Sequence, residues 1–335
     1  MTTLEKINRA RPRTGERYLL SCLCIAAPCA VYFIGFWWLG LHYFFPSTLR
    51  AEDFEIALIT DNTQLFSLEL ASRERVFLAS IAVSVFSIVA AIYAISTFER
   101  NRSWPPTLVV TLVCLALGYV AATNQGNPIR EMVVEWPIGQ AAFNYISYGL
   151  PELHKGMHLF SVINSFCAVA AASALIVRFV DLTLGDGRWD GENDIPTRGL
   201  ALRETILFAG ILLTLATVAT YFYYHYPLSL MEKETAEVHR RFSEMASVRW
   251  GAIYSAIMIT AASPAIAAHL LERQRLARDI EKLIAERPDL DIPPPAPWVS
   301  LKTLSTIAKA AFAFAAMLAP AVIAPILEFF NVAAP

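Results

Sequence analysis

His154 and His158 stand four residues apart, and His42 and His225 flank long apolar runs. Four residues is one helical turn, so the first two share a face if that stretch is helical. Imidazoles arranged this way can hold haem iron or a transition metal. The sharp expectation is therefore a haem- or metal-bearing redox site built from His42, His154, His158 and His225. The plainer expectation is an interfacial belt. Imidazole is amphipathic and sits beside Tyr and Trp where a membrane meets water. No HExxH or CxxCH motif accompanies these histidines, and the belt is the commoner meaning of such a set.

A second set lies in GDGRWDGENDIP, Gly185–Pro196. Asp186, Asp190 and Asp194 offer hard oxygen donors, and the glycines permit a tight turn, which suits Ca²⁺ or Mg²⁺. The spacing is not that of an EF-hand and lacks its closing Glu, so a solvated turn between two helices competes. Lys309 lies within an apolar run about two turns from its end, where a lysine can snorkel to the headgroups. The cysteines, Cys22, Cys24, Cys29, Cys114 and Cys167, all lie inside apolar runs and read as small fillers. Cys22-x-Cys24 has neither redox nor zinc spacing. No P-loop, G-x-S-x-G or GxGxxG motif occurs in a suitable context, and the secure apolar runs carry almost no Asp, Glu or Arg. These readings leave a non-enzymatic protein as the leading class and place a coupled transporter last.

The elements that must position these residues are set by composition. Of 335 residues, 56% are hydrophobic and 17% charged, with a mean hydropathy of +0.47. Soluble domains are nearer one quarter charged. The net charge of -2 gives no basic face for nucleic acid. The expected fold is an all-α polytopic membrane bundle, one domain over 1–335, with seven transmembrane helices. Their expected bounds are 18–45, 76–98, 107–122, 157–180, 204–226, 250–271 and 301–330. Each exceeds or approaches the roughly 20 residues that cross a hydrocarbon core. The segment 123–156 reads as an outer loop with a possible interfacial stretch, because its apolar middle is too short to span.

Direction comes from the basic residues. Lys6, Arg9, Arg11, Arg13 and Arg17 precede the first run. ERQRLARDIEKLIAER, Glu272–Arg287, follows the sixth. Basic residues collect on the cytoplasmic side, so the N-terminus is expected inside and the C-terminus outside. The tract 272–291 reads as an amphipathic basic cytoplasmic helix. Leu276, Ile280 and Leu283 form its apolar stripe, with Arg273, Arg275 and Arg278 beside it. Such a face docks on a protein, pairs with itself or lies on anionic lipid. In the sixth run Ala252, Ala256, Thr260, Pro264 and Ala268 make a small-residue row, as do Ala311, Ala315 and Ala319 in the seventh. Rows of this kind let helices approach closely in lipid.

The reading that follows is a scaffold or subunit of a membrane complex in a bacterial inner membrane, with partner contacts on 272–291. Its partners are membrane lipid and a protein partner or a second copy. An oligomeric channel or membrane-perturbing effector is the first alternative, and the haem- or metal-bearing subunit the second. Haem on the four histidines gives the purified protein a Soret band that His154→Ala or His158→Ala abolishes. A colourless, metal-free preparation leaves the belt.

Overall fold

The computed structural model describes residues 14–42, 63–97, 151–184, 194–226, 228, 233–286, 315–323 and 325–327. Among the described residues the secondary structure is helical throughout. The long helices are α1 (Thr14–His42), α2 (Thr63–Ser96), α3 (Pro151–Leu184), α4 (Asp194–His225) and α5 (Lys233–Glu286). A shorter helical stretch covers 315–323. Four stretches are long and apolar enough to cross a membrane: Leu70–Ser96, Phe166–Leu184, Thr197–His225 and Ser243–Arg275. These match four of the seven expected spans. The expected span 107–122, residues 123–150 of the expected outer loop 123–156 and the first half of 301–330 lie outside the described residues; residues 151–156 of that loop are instead the first turns of α3, and α1 covers 18–42 of the first expected span without being one of the four stretches.

The helices overrun the expected bounds, and the reason is physical. Apolar patterning stops at the membrane border, but backbone hydrogen bonding does not. Helix ends follow start and stop residues instead. α3 begins on a proline, Pro151, and α4 on Asp194 with Pro196 in its first turn. Both are favourable where the first N–H groups have no helical partner. α5 ends at Glu286, just before Arg287-Pro288, because a residue preceding proline disfavours the helical region. No break separates the expected span 250–271 from the basic tract after it. They are one helix of 54 residues, about 80 Å long at 1.5 Å per residue.

Directions follow from contacts. Cys24 Sγ on α1 lies 3.5 Å from Thr183 Oγ1 on α3, and Gly35 on α1 faces Ile253 on α5. α1 therefore runs antiparallel to both. α4 runs antiparallel to α5, with Gly199 against His269 and Tyr224 bonded by Trp250 Nε1 at 3.1 Å. α2 runs parallel to α3. Ser84 Oγ donates to Asn164 at 2.9 Å near one end. Near the other, Tyr93 donates to Glu204 in the third turn of α4 at 3.1 Å. α3 is central and packs on the other four long helices.

The packing places small residues inside and large ones outside. On α2, Val83, Ser87, Ala90 and Ala94 are buried, while Leu78, Ile81, Val85, Ile88, Val89, Ile92 and Ile95 are 45–67% exposed. A ridge of branched aliphatics along a whole helix is untenable in water and suited to lipid. In lipid no hydrophobic force draws helices together, so close backbone approach and hydrogen bonds must do so. Phe208 of α4 stacks on Tyr93 and Phe86 of α2, with ring centroids 4.2 and 5.8 Å away. Several threonines inside the bundle bond back to their own helix, as Thr205 does to Ala201 at 2.7 Å and Thr217 to Leu213 at 2.9 Å. No water is then needed to satisfy them.

The tightest approach is made by 315–323. Pro320 has no N–H, so the Ala316 carbonyl lacks its helical donor. That carbonyl lies against Gly210 of α4, where an added Cβ would sit 2.8 Å from it. A Cβ at Gly251 of α5 would fall 2.3 Å from the Pro320 carbonyl oxygen. The Ala321 N–H donates to Ser255 Oγ at 3.0 Å. The expected small-residue row on α5 is corrected accordingly. Ala252 is exposed and Ala256 and Thr260 are half-buried. Gly251, Ser255, Ala262 and Ala265 are buried. The row is offset by about one residue in its first half, because glycine and serine admit a backbone that alanine would hold away.

Gly251→Ala forces backbone to move and costs about 1–3 kcal/mol. It lowers the thermal midpoint of the detergent-solubilised protein. At Gly15 an added Cβ meets nothing within 4 Å, so Gly15→Ala leaves the midpoint unchanged or slightly raised.

Candidate functional site at the arginine end of the bundle

The helix directions gather one set of ends: the start of α1, the ends of α2 and α3, the start of α4, and α5 around His269–Arg275. α1, α3, α4 and α5 contribute charge there, and α2 contributes the Tyr93 hydroxyl. Arg17 on α1 donates through Nη2 to Glu272 Oε1 on α5. Its Nη1 donates to the Leu184 carbonyl at 2.8 Å. Leu184 is the last residue of α3, so this carbonyl is one of four that a helix end leaves without a donor. A cation there also meets the negative end of the helix dipole. Glu272 has a second neighbour, Arg198 Nη1 in the second turn of α4, at 3.6 Å. One carboxylate therefore joins α1, α4 and α5, and one guanidinium extends the link to α3.

Burial makes this junction costly to break. The side chains of Arg17 and Glu272 are 13% and 12% exposed. Burial pushes the Arg17 guanidinium below its ordinary range, and the charge of Glu272 opposes that push. Beside the junction, Arg275 donates to Glu16 at 2.8 Å in a more open setting. His269 lies half-buried against the Gly199 backbone, where an added Cβ would come within 3.1 Å of Nε2. Arg198 and Arg273 are both within electrostatic range of it. A neighbouring polar group closes the far side of α3. There Arg178 pairs with Asp181 at 2.6 Å, and Tyr93 bonds Glu204.

The sequence-derived sites distribute as follows. Arg273 and Arg275, expected to serve a partner, lie at this junction, and Arg275 is engaged by Glu16. Arg278 is exposed one turn further on. Leu276, Ile280 and Leu283 share one face of α5 by register, on described backbone. Asp194 is the first residue of α4 rather than a loop residue, because the helix starts there. Asp186 and Asp190 lie outside the described residues. Among the described residues no group of three His, Cys, Asp or Glu side chains is placed to hold a metal.

The four histidines share the opposite, tyrosine-rich end of the bundle but not one level. Counting from the Cys24–Thr183 contact, His42 comes level with residue 165 of α3, about 10 Å short of His158. His225 stacks on Tyr221 at 4.0 Å, and its Nδ1 lies 2.9 Å from the Tyr221 carbonyl. That is how a belt residue settles at a helix end.

Sequence reasoning missed Glu272, His269 and Arg17 as site residues. Arg17 read as one of five N-terminal cations, and Glu272 as the first letter of a basic tract. The usable signal was Glu272 itself, an acid at the border of an apolar run whose surroundings are otherwise basic. Such an acid is retained where a cation elsewhere needs it.

Glu272→Gln leaves Arg17 and Arg198 without their counter-charge and costs about 3 kcal/mol, read as a loss of thermal stability in detergent. Glu16→Gln removes an exposed pair, 38% and 51% open at Arg275 and Glu16, and costs less than about 1 kcal/mol. Equal losses in the two variants would show that the junction is no anchor. No family model matches the chain, and no curated protein or solved structure matches it.

Proposed function

We propose that this chain is a non-enzymatic, multi-pass protein of a bacterial inner membrane that acts as a scaffold or subunit of a membrane complex. The arginine end of the bundle faces the cytoplasm, and α5 presents the partner surface. The observation that carries this reading is the length of α5. Its apolar stretch closes at Arg275, yet the helix continues to Glu286. Those 11 residues extend about 16 Å past the membrane-length part of the helix. They carry Arg278, Glu281, Lys282 and Glu286 exposed, with Leu276, Ile280 and Leu283 on one face by register. A helix anchored by a buried ion pair at its base, with an apolar stripe beyond, is suited to helix-in-groove or helix-pairing recognition.

The seven-span threading, with the N-terminus inside and the C-terminus outside, belongs to the same proposal. The parallel course of α2 and α3 supports it. A chain that leaves α2 at one end of the bundle and enters α3 at the other has to recross, as the expected span 107–122 would let it do. The concentration of Arg17, Arg198, Arg273, Arg275 and Arg278 at one end supports the cytoplasmic assignment of that end.

In a mild detergent, size exclusion with light scattering gives a mass above that of one 37.1 kDa chain plus its detergent. The full-length triple variant Leu276→Ser, Ile280→Ser, Leu283→Ser runs as a monomer with its helical content unchanged. A monomeric wild type that the triple variant does not alter would falsify the scaffold reading.

A further inference from the structure

We infer that the chain's own basic segment, residues 1–13, straps across the apolar stripe of α5 and has to leave before a partner can dock. The inference rests on the reading of 276–286 as the partner surface and adds its regulation. It starts from the circumference of α5. Glu272 marks the side that meets α1, through Arg17, and His269 meets Gly199 of α4 on the adjoining side. By helical register, positions 276, 279, 280, 283 and 286 all fall within about 80° of Glu272. Glu281 stands diametrically opposite and is exposed. The stripe therefore lies on the side of α5 where α1 begins.

Charge and reach select the occupant. Past Arg275 the tail is no longer basic: Leu276–Glu286 holds Asp279, Glu281 and Glu286 against Arg278 and Lys282. Asp279 and Glu286 border the stripe by register. α1 runs antiparallel to α5, with Arg17 at Glu272 and Glu16 at Arg275, so Thr14 comes level with about residue 276. The chain before Thr14 thus enters beside the stripe. It brings Lys6, Arg9, Arg11 and Arg13 against Glu5, with Leu4 and Ile7 among them. The cations match Asp279 and Glu286, and the apolar pair matches Leu276, Ile280 and Leu283. From Lys6 to Thr14 an extended chain covers up to about 27 Å, while Leu276 to Glu286 rises only about 15 Å. Other segments fit less well. Gly185–Asn193 brings Asp186, Asp190 and Glu192 against Arg188, and Asp289 and Asp291 follow the tail, all acids like those beside the stripe. Glu99–Arg102 follows α2, which is not among the helices that pack on α5. Lys302 offers one cation where 1–13 offers four.

The test uses the full-length protein, dilute in detergent, and a water-soluble carbodiimide, which joins an amine to a carboxylate that touches it. Lys6 is the amine-bearing side chain of the strap, and Glu281, on the opposite face of α5, is the internal control. Mass spectrometry is expected to find Lys6 joined to Asp279 or Glu286 and not to Glu281. In a mixture of heavy-isotope-labelled and unlabelled copies, each link stays within one chain. Arg9→Glu with Arg11→Glu reverses two exposed pairings and lowers the yield of the link about fivefold, with circular dichroism showing that the variant is folded. The strap is overturned if Lys6 couples to Glu281 as readily as to Asp279 and Glu286, if it couples to none of them, if the links join different copies, or if the folded charge-reversed variant gives the wild-type yield. The scaffold reading stands or falls separately on oligomeric mass. A monomer that forms the link keeps the strap and loses the scaffold, and an oligomer without the link does the reverse.

Discussion

A buried carboxylate with too many cations around it governs this molecule. Glu272 neutralises Arg17 and approaches Arg198, and Arg17 in turn caps the end of α3. Four of the five long helices are thereby referenced to one oxygen atom of one side chain. In water such a pair would contribute little, because solvent screens both charges and the side chains lose freedom on pairing. With both groups about one-eighth exposed, the Coulomb attraction is less diluted, and the loss of one member leaves the other desolvated. The junction therefore fixes the relative heights of the helices more firmly than apolar contact could, since apolar contact is tolerant of sliding and this contact is not.

The rest of the bundle follows from the absence of a hydrophobic driving force inside lipid. What remains is close approach, and close approach is limited by backbone volume and by unsatisfied carbonyls. The stretch 315–323 meets both limits at once. Pro320 frees a carbonyl, Gly210 gives it room, Gly251 admits the proline's own carbonyl, and Ser255 accepts the N–H of Ala321. Each substitution is unfavourable by the rules of isolated helices, where glycine and proline are poor helix formers. Together they form a seam. The outward ridge of α2 shows the converse: where no neighbour comes close, the chain places large branched side chains and leaves them to lipid.

Much of this was legible in the sequence, and the failures are informative. Apolar runs placed the helices because hydropathy is a local property. The threading expected from Lys and Arg requires α1 antiparallel to α3 and α5, α2 parallel to α3 and α4 antiparallel to α5, and the described helices have those relative directions. Helix ends were misread because the membrane border and the end of hydrogen bonding are different boundaries. Pro151, Asp194-Ile-Pro196 and Arg287-Pro288 carried the second kind of information and were outweighed by the first. The small-residue row on α5 was displaced for a different reason. Ala252 and Ala256 fit the period as well as Gly251 and Ser255 do, and only the position of Pro320 decides between them. The charged junction was not legible at all from spacing, since Arg17 and Glu272 lie 255 residues apart and no local pattern relates them.

That separation has a consequence for how the protein is made. Chains emerge from the ribosome at about 5–20 residues per second, so Arg17 waits tens of seconds before Glu272 exists. Throughout that interval the Arg17 guanidinium lacks the buried carboxylate that it pairs with in the finished bundle, and its surroundings must solvate it. The cation of the first helix is thus held by its solvent until the fifth arrives to take over. The early and the finished protein use different partners for the same cation, and α5, made long after α1, is the helix that locks it.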